Sequence, residues 1–359
     1  MRGSRRFPPA AAAAAAAALA LAVLPGTAGA AEGSGKGADA VALRIVFAFT
    51  DDRIDESSGL VARDRLVFTV NDSGDGPYFY GVDPGSGDTR VVSIYADDEP
   101  DDVEALASGP GGEIWVGDIG DNNRQRSTVT VHRVEEPGQE RPRAERFELA
   151  YPDGPHDAET LLVNPRTGRL YVVTKVPVFG GGVYEAPAGL ETGTIQRMAK
   201  VGTVPGLVTD GAFFPDGRHV LLRTYGSAAV YTFPGFEPVG EFALPQQEQG
   251  EGVAISGPGR ILLSSEGARS DVLEVELPAE VRDAMGRGPA NGASPAPEEQ
   301  AGSTSATKGP AKTSNPASGK GDGDGVGLGR PAGYVLGVVA VILVGALVRA
   351  SRRRGRRTQ

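Results

Sequence analysis

The sequence predicts an all-β fold, a five-bladed β-propeller closed by an N-terminal strand and followed by one C-terminal transmembrane helix. Three observations support this. Residues 41–280 contain five repeats, each repeat holds three or four short runs of β-branched and aromatic residues, and residues 331–348 form an uncharged apolar run. Four strands per repeat of 40 to 55 residues are typical of a propeller blade. A β-sandwich with a similar number of strands is the alternative.

The repeats align on a polar segment at their start. The third position of this segment is occupied by Ser58, Glu104, Glu159, Asp210 and Glu251, with spacings of 46, 55, 51 and 41 residues. The fifth repeat lacks a fourth apolar run, while residues 42–49 form an apolar run that belongs to no repeat. We therefore expect residues 42–49 to pair with the last blade, which closes the ring and removes two exposed edges.

The N-terminal residues predict export. Residues 1–30 contain Arg2, Arg5 and Arg6, then an apolar run, then Ala28-Gly29-Ala30, as in a cleaved signal peptide. An N-terminal membrane anchor is the alternative.

The C-terminal residues predict a membrane anchor. The 18 residues 331–348 span about 27 Å as a helix, close to the thickness of a bilayer core. Six arginines in the tail 349–359 place that end in the cytoplasm, so the propeller is expected outside a single-pass cell-membrane anchor. A buried core helix is the alternative. Residues 281–330 are rich in Gly, Ala, Ser and Pro, which predicts a disordered linker.

Composition excludes several kinds of chemistry. The chain has no cysteine, which rules out disulfides and thiol chemistry. All 46 acidic residues lie within 32–330, against 27 basic residues there, so the exported part carries a net charge of −19. Such a surface repels phosphate backbones, and no nucleic-acid partner is expected. Cations and neutral ligands fit this charge better.

The repeat starts predict a metal site. In a propeller they share one axial rim with the loops after each second strand, so four of the five aligned positions bring a carboxylate to that rim. Clustered carboxylates raise one another's pKa unless a cation lies between them, and hard oxygen ligands favour calcium. The predicted metal ligands are Glu104, Glu159, Asp210, Glu251 and Asp75.

The loops after the second strands add candidate ligand-binding residues at the same rim. These are Asn71, Asp72, Asp118, Asn122, His156, Lys175 and Arg223. Asn71, Ser73, Asp75 and Gly76 match positions 1, 3, 5 and 6 of a calcium loop, whereas Val82 at position 12 does not. Turn formation by Asn, Asp and Gly is the alternative explanation. Lys175 and Arg223 either neutralise the carboxylates or hold an anionic ligand group.

A family resemblance follows from these motifs. The repeats resemble those of WD-repeat and NHL-like propellers over residues 45–280. The pairing of residues 71–76 (NDSGDG) with residues 117–122 (GDIGDN) resembles exported actinobacterial propellers of the phytase-like or esterase-like kind. The resemblance implies calcium and hydrolysis, but the sequence contains no G-x-S-x-G nucleophile motif.

Two functions therefore remain open, and the sequence does not decide whether the protein is an enzyme. The first is binding of an unidentified ligand or cation at the axial rim. The second is metal-assisted or carboxylate-dependent hydrolysis at that rim, of a phytase, esterase or glycosidase kind.

Overall fold

The computed structural model of the protein describes residues 43–72, 74–176 and 180–287. Its strands form five sheets, one for each predicted repeat, which confirms the five-bladed propeller. Blade 1 consists of β2 (Ser57–Arg63), β3 (Leu66–Asn71), β4 (Tyr78–Val82) and β5 (Thr89–Ile94). Blade 2 consists of β6 (Val103–Ser108), β7 (Ile114–Asp118), β8 (Val129–Val134) and β9 (Ala144–Ala150).

The remaining blades follow the same antiparallel order. Blade 3 consists of β10 (Ala158–Val163), β11 (Leu170–Thr174), β12 (Gly181–Glu185) and β14 (Ala199–Val204). Blade 4 consists of β15 (Asp210–Phe213), β16 (His219–Arg223), β17 (Ser227–Thr232) and β18 (Pro238–Ala243). Blade 5 consists of β19 (Gly250–Gly257), β20 (Arg260–Ser265), β21 (Asp271–Glu276) and β1 (Leu43–Ala48).

The N-terminal strand closes the ring, as predicted. β1 pairs antiparallel with β21, with Ile45 opposite Leu273 and Phe47 opposite Val272. Phe47 and Phe49 are buried and their rings meet edge to face at 5.5 Å. The burial of these aromatic rings holds the first strand of the chain against the last.

Apolar side chains fill the spaces between neighbouring blades. Between blades 1 and 2, for example, Phe79 and Tyr95 pack against Val103 and Val116. The innermost strands β2, β6, β10, β15 and β19 contact one another around the axis. Their approach is close enough that a Cβ on Gly59 would lie 2.3 Å from the backbone nitrogen of Leu106. This crowding explains why each aligned polar position is followed by a small residue: Gly59, Ala105, Thr160, Gly211 and Gly252.

Two elements lie outside the repeat pattern. β13 (Ile195–Arg197) pairs parallel to β9 and adds a fifth strand to blade 2. α1 (Ala279–Arg287) follows blade 5, and its buried Val281 lies against Gly240 of β18.

The predicted linker boundary at residue 281 falls within α1, because Val281 belongs to the apolar core between blades 4 and 5. The rest of that linker lies outside the described residues, as do the predicted signal peptide, transmembrane segment 331–348 and tail. None of the helices in the described part of the chain is long and apolar enough to cross a membrane.

The alternating strand directions define two faces. The upper face carries the starts of the innermost strands and the loops that follow each second strand. The lower face carries the turns between first and second strands, such as the turn at Gly259, whose carbonyl accepts the backbone N–H of Leu277 at 2.8 Å. Because Leu43 pairs with Val275 near that turn, the described chain enters on the lower face, and α1 follows Leu277 on the same face.

Candidate functional site

The aligned polar position of each repeat lies beside the axis on the upper face. The five side chains there are at most 2% exposed: Ser58, Glu104, Glu159, Asp210 and Glu251. They lie at or near the start of each innermost strand, and the tight packing of those strands buries them. We call this region the axial mouth, and its carboxylates differ in their partners from blade to blade.

Blades 1 and 2 contribute a cluster of three buried carboxylates. Asp72 follows β3, Asp102 directly precedes β6, and Glu104 is the second residue of β6. One oxygen from each lies within 4.8 Å of the others. Gly120 permits this approach, since a Cβ there would lie 2.6 Å from both Asp102 Oδ2 and Glu104 Oε1. We refer to Asp72, Asp102 and Glu104 as the acidic triad.

The chemistry of the acidic triad suits a hard divalent cation. All of its members are buried and all offer oxygen, the ligand atom that calcium takes. Burial raises the pKa of Glu104 well above its usual range, and the nearby charges of Glu159 and Asp102 raise it further. A bound cation would relieve that cost. Asp118 positions the triad by accepting the backbone N–H of Asp102 at 2.9 Å, and it also pairs with Arg126 at 2.8 Å.

Blade 3 contributes a partly buried ion pair between Lys175 and Glu159, and blade 4 contributes Tyr225 beside it. Lys175 Nζ lies 2.8 Å from Glu159 Oε1 and donates to Tyr225 Oη at 3.1 Å. Burial alone would lower the pKa of Lys175, but the carboxylates of Glu159 and Glu251 raise it well above its ordinary value. Lys175 is therefore cationic, and its charge is directed at Glu159.

Blade 5 contributes two further carboxyl groups. Gln249 Nε2 lies between them, donating to Glu266 Oε1 and, at 3.4 Å, to Glu251 Oε1. Burial raises the pKa of Glu251, while Lys175, Arg223 and hydrogen bonds with Gln249 and Tyr225 oppose that rise. Burial, followed by the charge of Glu251, raises the pKa of Glu266 to about 8. Glu266 therefore carries a proton at neutral pH although its side chain is partly accessible.

Two predicted site residues instead join blades 4 and 5. Asp210 Oδ1 accepts the backbone N–H of Gly211 at 2.8 Å, and Oδ2 accepts that of Val253 at 2.7 Å. The fully buried Arg223 donates to the carbonyl oxygens of Gly252 at 2.9 Å and Ser264 at 3.3 Å. Asp210 was predicted as a metal ligand and Arg223 as a ligand-binding residue. Both side chains instead bond backbone groups of blades 4 and 5.

The predicted calcium loop in blade 1 has a different arrangement. Asp75 Oδ2 accepts hydrogen bonds from Asn71 Nδ2 at 3.0 Å and Tyr80 Oη at 2.7 Å. Asp72, rather than Asp75, joins Asp102 and Glu104. The structure therefore shows a carboxylate cluster at the start of this loop and a turn-stabilising hydrogen bond within it. Ser73 lies outside the described residues.

The last two candidates lie apart from the triad. Asn122 is exposed in the loop after β7. His156 Nε2 lies 2.9 Å from Asp153 Oδ1 and 3.0 Å from Tyr184 Oη. The ring of Tyr151 meets the imidazole of His156 edge to face at 5.0 Å, so His156 belongs to an aromatic cluster between blades 2 and 3.

Sequence reasoning missed two residues of the axial mouth, Tyr225 and Gln249. The repeat alignment does place Asp102 and Glu266 on the rim, but the predicted metal ligands and ligand-binding residues do not include them. Asp102 carried a usable signal. It stands two residues before Glu104, and residues two apart on a strand point to the same side.

Comparisons with known proteins find solved structures of low similarity to this chain. No family model and no curated protein sequence matches the chain. The chain is similar to a gluconolactonase from Xanthomonas campestris, with 14% identity and a TM-score of 0.40 over 66% of this chain and 90% of that one. It is also similar to a glucose dehydrogenase, with 15% identity and a TM-score of 0.40 over 62% and 84%. The soluble aldose sugar dehydrogenase of Escherichia coli has 11% identity and a TM-score of 0.39 over 67% and 100%. Similarity this low carries no argument about activity.

Proposed function

We propose that the protein is a cell-surface binding module that holds a calcium ion, and through it a ligand, in its axial mouth. The observation that carries this proposal is the convergence of Asp72, Asp102 and Glu104, all buried, within 4.8 Å. The charge pattern of the sequence supports a membrane anchor at residues 331–348 and an extracellular propeller.

The charge balance of the axial mouth favours a cation at the triad. Lys175 is the lysine whose charge acts on Glu104 of the triad, but its ammonium group directly contacts Glu159 and Tyr225. Three buried carboxylates that share one small volume repel one another, and a bound metal ion would relieve that repulsion. Calcium takes six to eight oxygen ligands. The triad would supply only part of that shell, so coordination positions remain for an oxygen-rich ligand that enters from the upper face.

Calcium binding is tested by thermal melting of the full chain in calcium and in chelator. A cation that binds only the folded state adds about 2.7 kcal/mol at a hundredfold excess over its dissociation constant, which raises the melting temperature. Asp102→Asn/Glu104→Gln should abolish this rise, whereas the exposed control Glu276→Gln should keep it. If calcium leaves the wild type unchanged while the double variant is more stable in chelator at neutral pH, the triad is not a calcium site.

Hydrolysis is a second candidate because of Glu266. A carboxylic acid that is partly accessible and has a pKa of about 8 can donate a proton to a leaving group at neutral pH. A screen of esters, phosphate esters and glycosides tests this idea. For any substrate found, Glu266→Gln should lower kcat about 10²–10⁴-fold without weakening calcium binding. A screen with no turnover would leave binding as the function.

The membrane topology has its own test. Protease added to intact cells should release the propeller by cleavage within 288–330, because α1 ends at Arg287. A propeller that stays inaccessible in intact cells but is cleaved after lysis would contradict the extracellular location.

A further inference from the structure

The lower face contains a groove that plays no part in the axial mouth. It lies between blades 1 and 2 and has a volume of about 930 Å3. Its walls are the turn after β2, the turn before β7 and the loop between β8 and β9. These are turns and loops of the lower face, whereas the acidic triad lies on the upper face.

The groove combines an acidic rim with an apolar floor. Its carboxylates are Asp64, Glu113, Glu135 and Glu136, and Arg133 is the cationic side chain among its lining residues. Asp64 pairs with the neighbouring Arg63 at 3.0 Å and Glu135 with Arg143 at 3.5 Å, so Glu113 and Glu136 are the groove carboxylates with no ion pair among the described residues. The guanidinium of Arg133 is already paired, with Glu145 at 2.6 Å and Glu135 at 3.3 Å. Leu66, Phe68, Pro110 and Pro137 also line the groove. An extended chain with positive charges and small side chains would complement this surface.

The same chain contains such a segment. Residues 301–320 include Lys308, Lys312 and Lys320 and have no acidic residue. Pro310 and Pro316 favour an extended backbone of the polyproline kind. We propose that residues 301–320 bind in the groove between blades 1 and 2, with their lysines beside its carboxylates.

The segment can reach the groove. α1 follows blade 5 on the lower face and ends at Arg287, 14 residues before position 301. Fourteen residues span at most about 50 Å. A domain of this length has a radius of gyration of about 18 Å, so the lower face is within range.

Because residues 301–320 are attached to the propeller, weak contacts are sufficient to hold them in the groove. A surface ion pair contributes at most about 1 kcal/mol, so three lysines would bind weakly as a free peptide. A segment attached by a short linker is present at an effective concentration in the millimolar range. The bound segment would draw the lower face toward the chain's C-terminal part and leave the axial mouth on the opposite side.

Zero-length carbodiimide cross-linking of the full chain in detergent, followed by mass spectrometry, tests the proposal. Intramolecular amide links are expected between lysines 308, 312 or 320 and Glu113, Glu135 or Glu136. Raising the salt concentration to 1 M should remove most of these links, because the screening length falls to about 3 Å. Links that occur only between two chains would show that a second copy occupies the groove, and a lack of links would leave the segment unbound; either result overturns the proposal.

Matched variants give an independent readout. Glu113→Gln/Glu135→Gln/Glu136→Gln should let a broad-specificity protease cleave residues 301–320 several-fold faster. The control Glu191→Gln/Glu237→Gln/Glu276→Gln, which changes three exposed glutamates outside the groove, should cleave as the wild type does. Lys308→Glu/Lys312→Glu leaves the propeller unchanged and should also speed cleavage. Equal cleavage rates in all four proteins would overturn the proposal.

Discussion

Glu104 in blade 2 and Asp210 in blade 4 occupy the same position of the repeat, yet their carboxylates have different partners. Asp210 accepts two backbone N–H groups, from Gly211 and Val253, and so joins blade 4 to blade 5. Glu104 lies beside Asp72 and Asp102 in the acidic triad. The comparison shows that one repeat position can serve interblade bonding on one side of the axis and a candidate cation site on the other.

The two sides also differ in charge. The side formed by blades 3 to 5 contains the partly buried Lys175 and the fully buried Arg223, and these cations contact protein groups of the same blades. The side formed by blades 1 and 2 contains the triad, and its partly buried cation Arg126 pairs with Asp118. We therefore expect changes in blades 3 to 5 to alter stability and changes near the triad to alter cation binding.

We expect the largest loss in the free energy of unfolding from Arg223→Met. Removing this cation leaves the carbonyls of Gly252 and Ser264 without their donor and the buried Asp210 without its countercharge. Breaking a buried charge network in this way should lower the free energy of unfolding by about 3–5 kcal/mol.

Denaturant unfolding followed by tryptophan fluorescence measures that loss. Trp115 is the one tryptophan of the chain, and it is buried against Phe147, with ring centroids 5.8 Å apart. The control Arg90→Met removes an exposed ion pair with Asp83 and should cost no more than about 1 kcal/mol. Equal losses for the two variants would contradict the interblade role of Arg223.

The second effect is a dependence of stability on pH in the presence of chelator. Glu266 has a pKa of about 8 in the folded protein, above the value of about 4.3 for an unfolded glutamate. The folded state therefore binds more protons between these values, and its stability falls as pH rises from about 4 to 8. Burial raises the pKa of Glu104 and Glu251 as well, and so adds to the same slope.

Glu266→Gln isolates one contribution to this slope. The amide cannot ionise, so the variant should be more stable than the wild type at pH 8, by at most about 5 kcal/mol, and nearly equal to it at pH 4.5. Unfolding midpoints from pH 4.5 to 9 measure the difference, and Glu276→Gln should follow the wild type. A variant that is less stable than the wild type at pH 8 would show that ionised Glu266 stabilises the fold.

The smallest expected effect on stability comes from Gly120→Ala. The added Cβ would press on Asp102 Oδ2 and Glu104 Oε1, each 2.6 Å away, and displace two members of the triad. Calcium affinity should fall about tenfold, which corresponds to about 1.4 kcal/mol. The unfolding free energy in chelator should change by no more than about 1 kcal/mol.

Calorimetric calcium titration measures that affinity. Gly226→Ala is the matched control, since a Cβ at Gly226 has no atom within 4 Å and its backbone is not left-handed. Unchanged affinity in Gly120→Ala would show that the triad does not hold the ion.

Repeat spacing was sufficient to predict the blades, the closing strand and the ring of polar residues at the axis. Strand patterns depend on local alternation and turns, which a sequence displays directly. The partners of each carboxylate could not be predicted in this way. Asp210 and Glu104 look alike in the alignment, and the backbone position of Val253 in the next blade determines that Asp210 is bonded to protein.

The elements missed by the sequence reasoning share a physical cause. β13 has only three residues and pairs with a strand of the preceding blade, so no local pattern marks it. Residues 281–287 of α1 were assigned to a linker because the segment 281–330 is rich in Gly, Ala, Ser and Pro, and only Val281 of this helix is buried. In both elements, contacts with another part of the chain determine the structure.

The pairing of β1 with β21 also determines when the propeller can be completed. Ile45 and Leu273 are partners although they are 228 positions apart, so closing the ring carries the entropy cost of a very long loop. A chain synthesised from its N-terminus presents β1 before any other strand and β21 after all the others. Until then, the apolar Phe47 lacks its partner strand. The protein therefore passes through a folding intermediate with an open edge until β21 is available, and at that stage aggregation competes most strongly with folding.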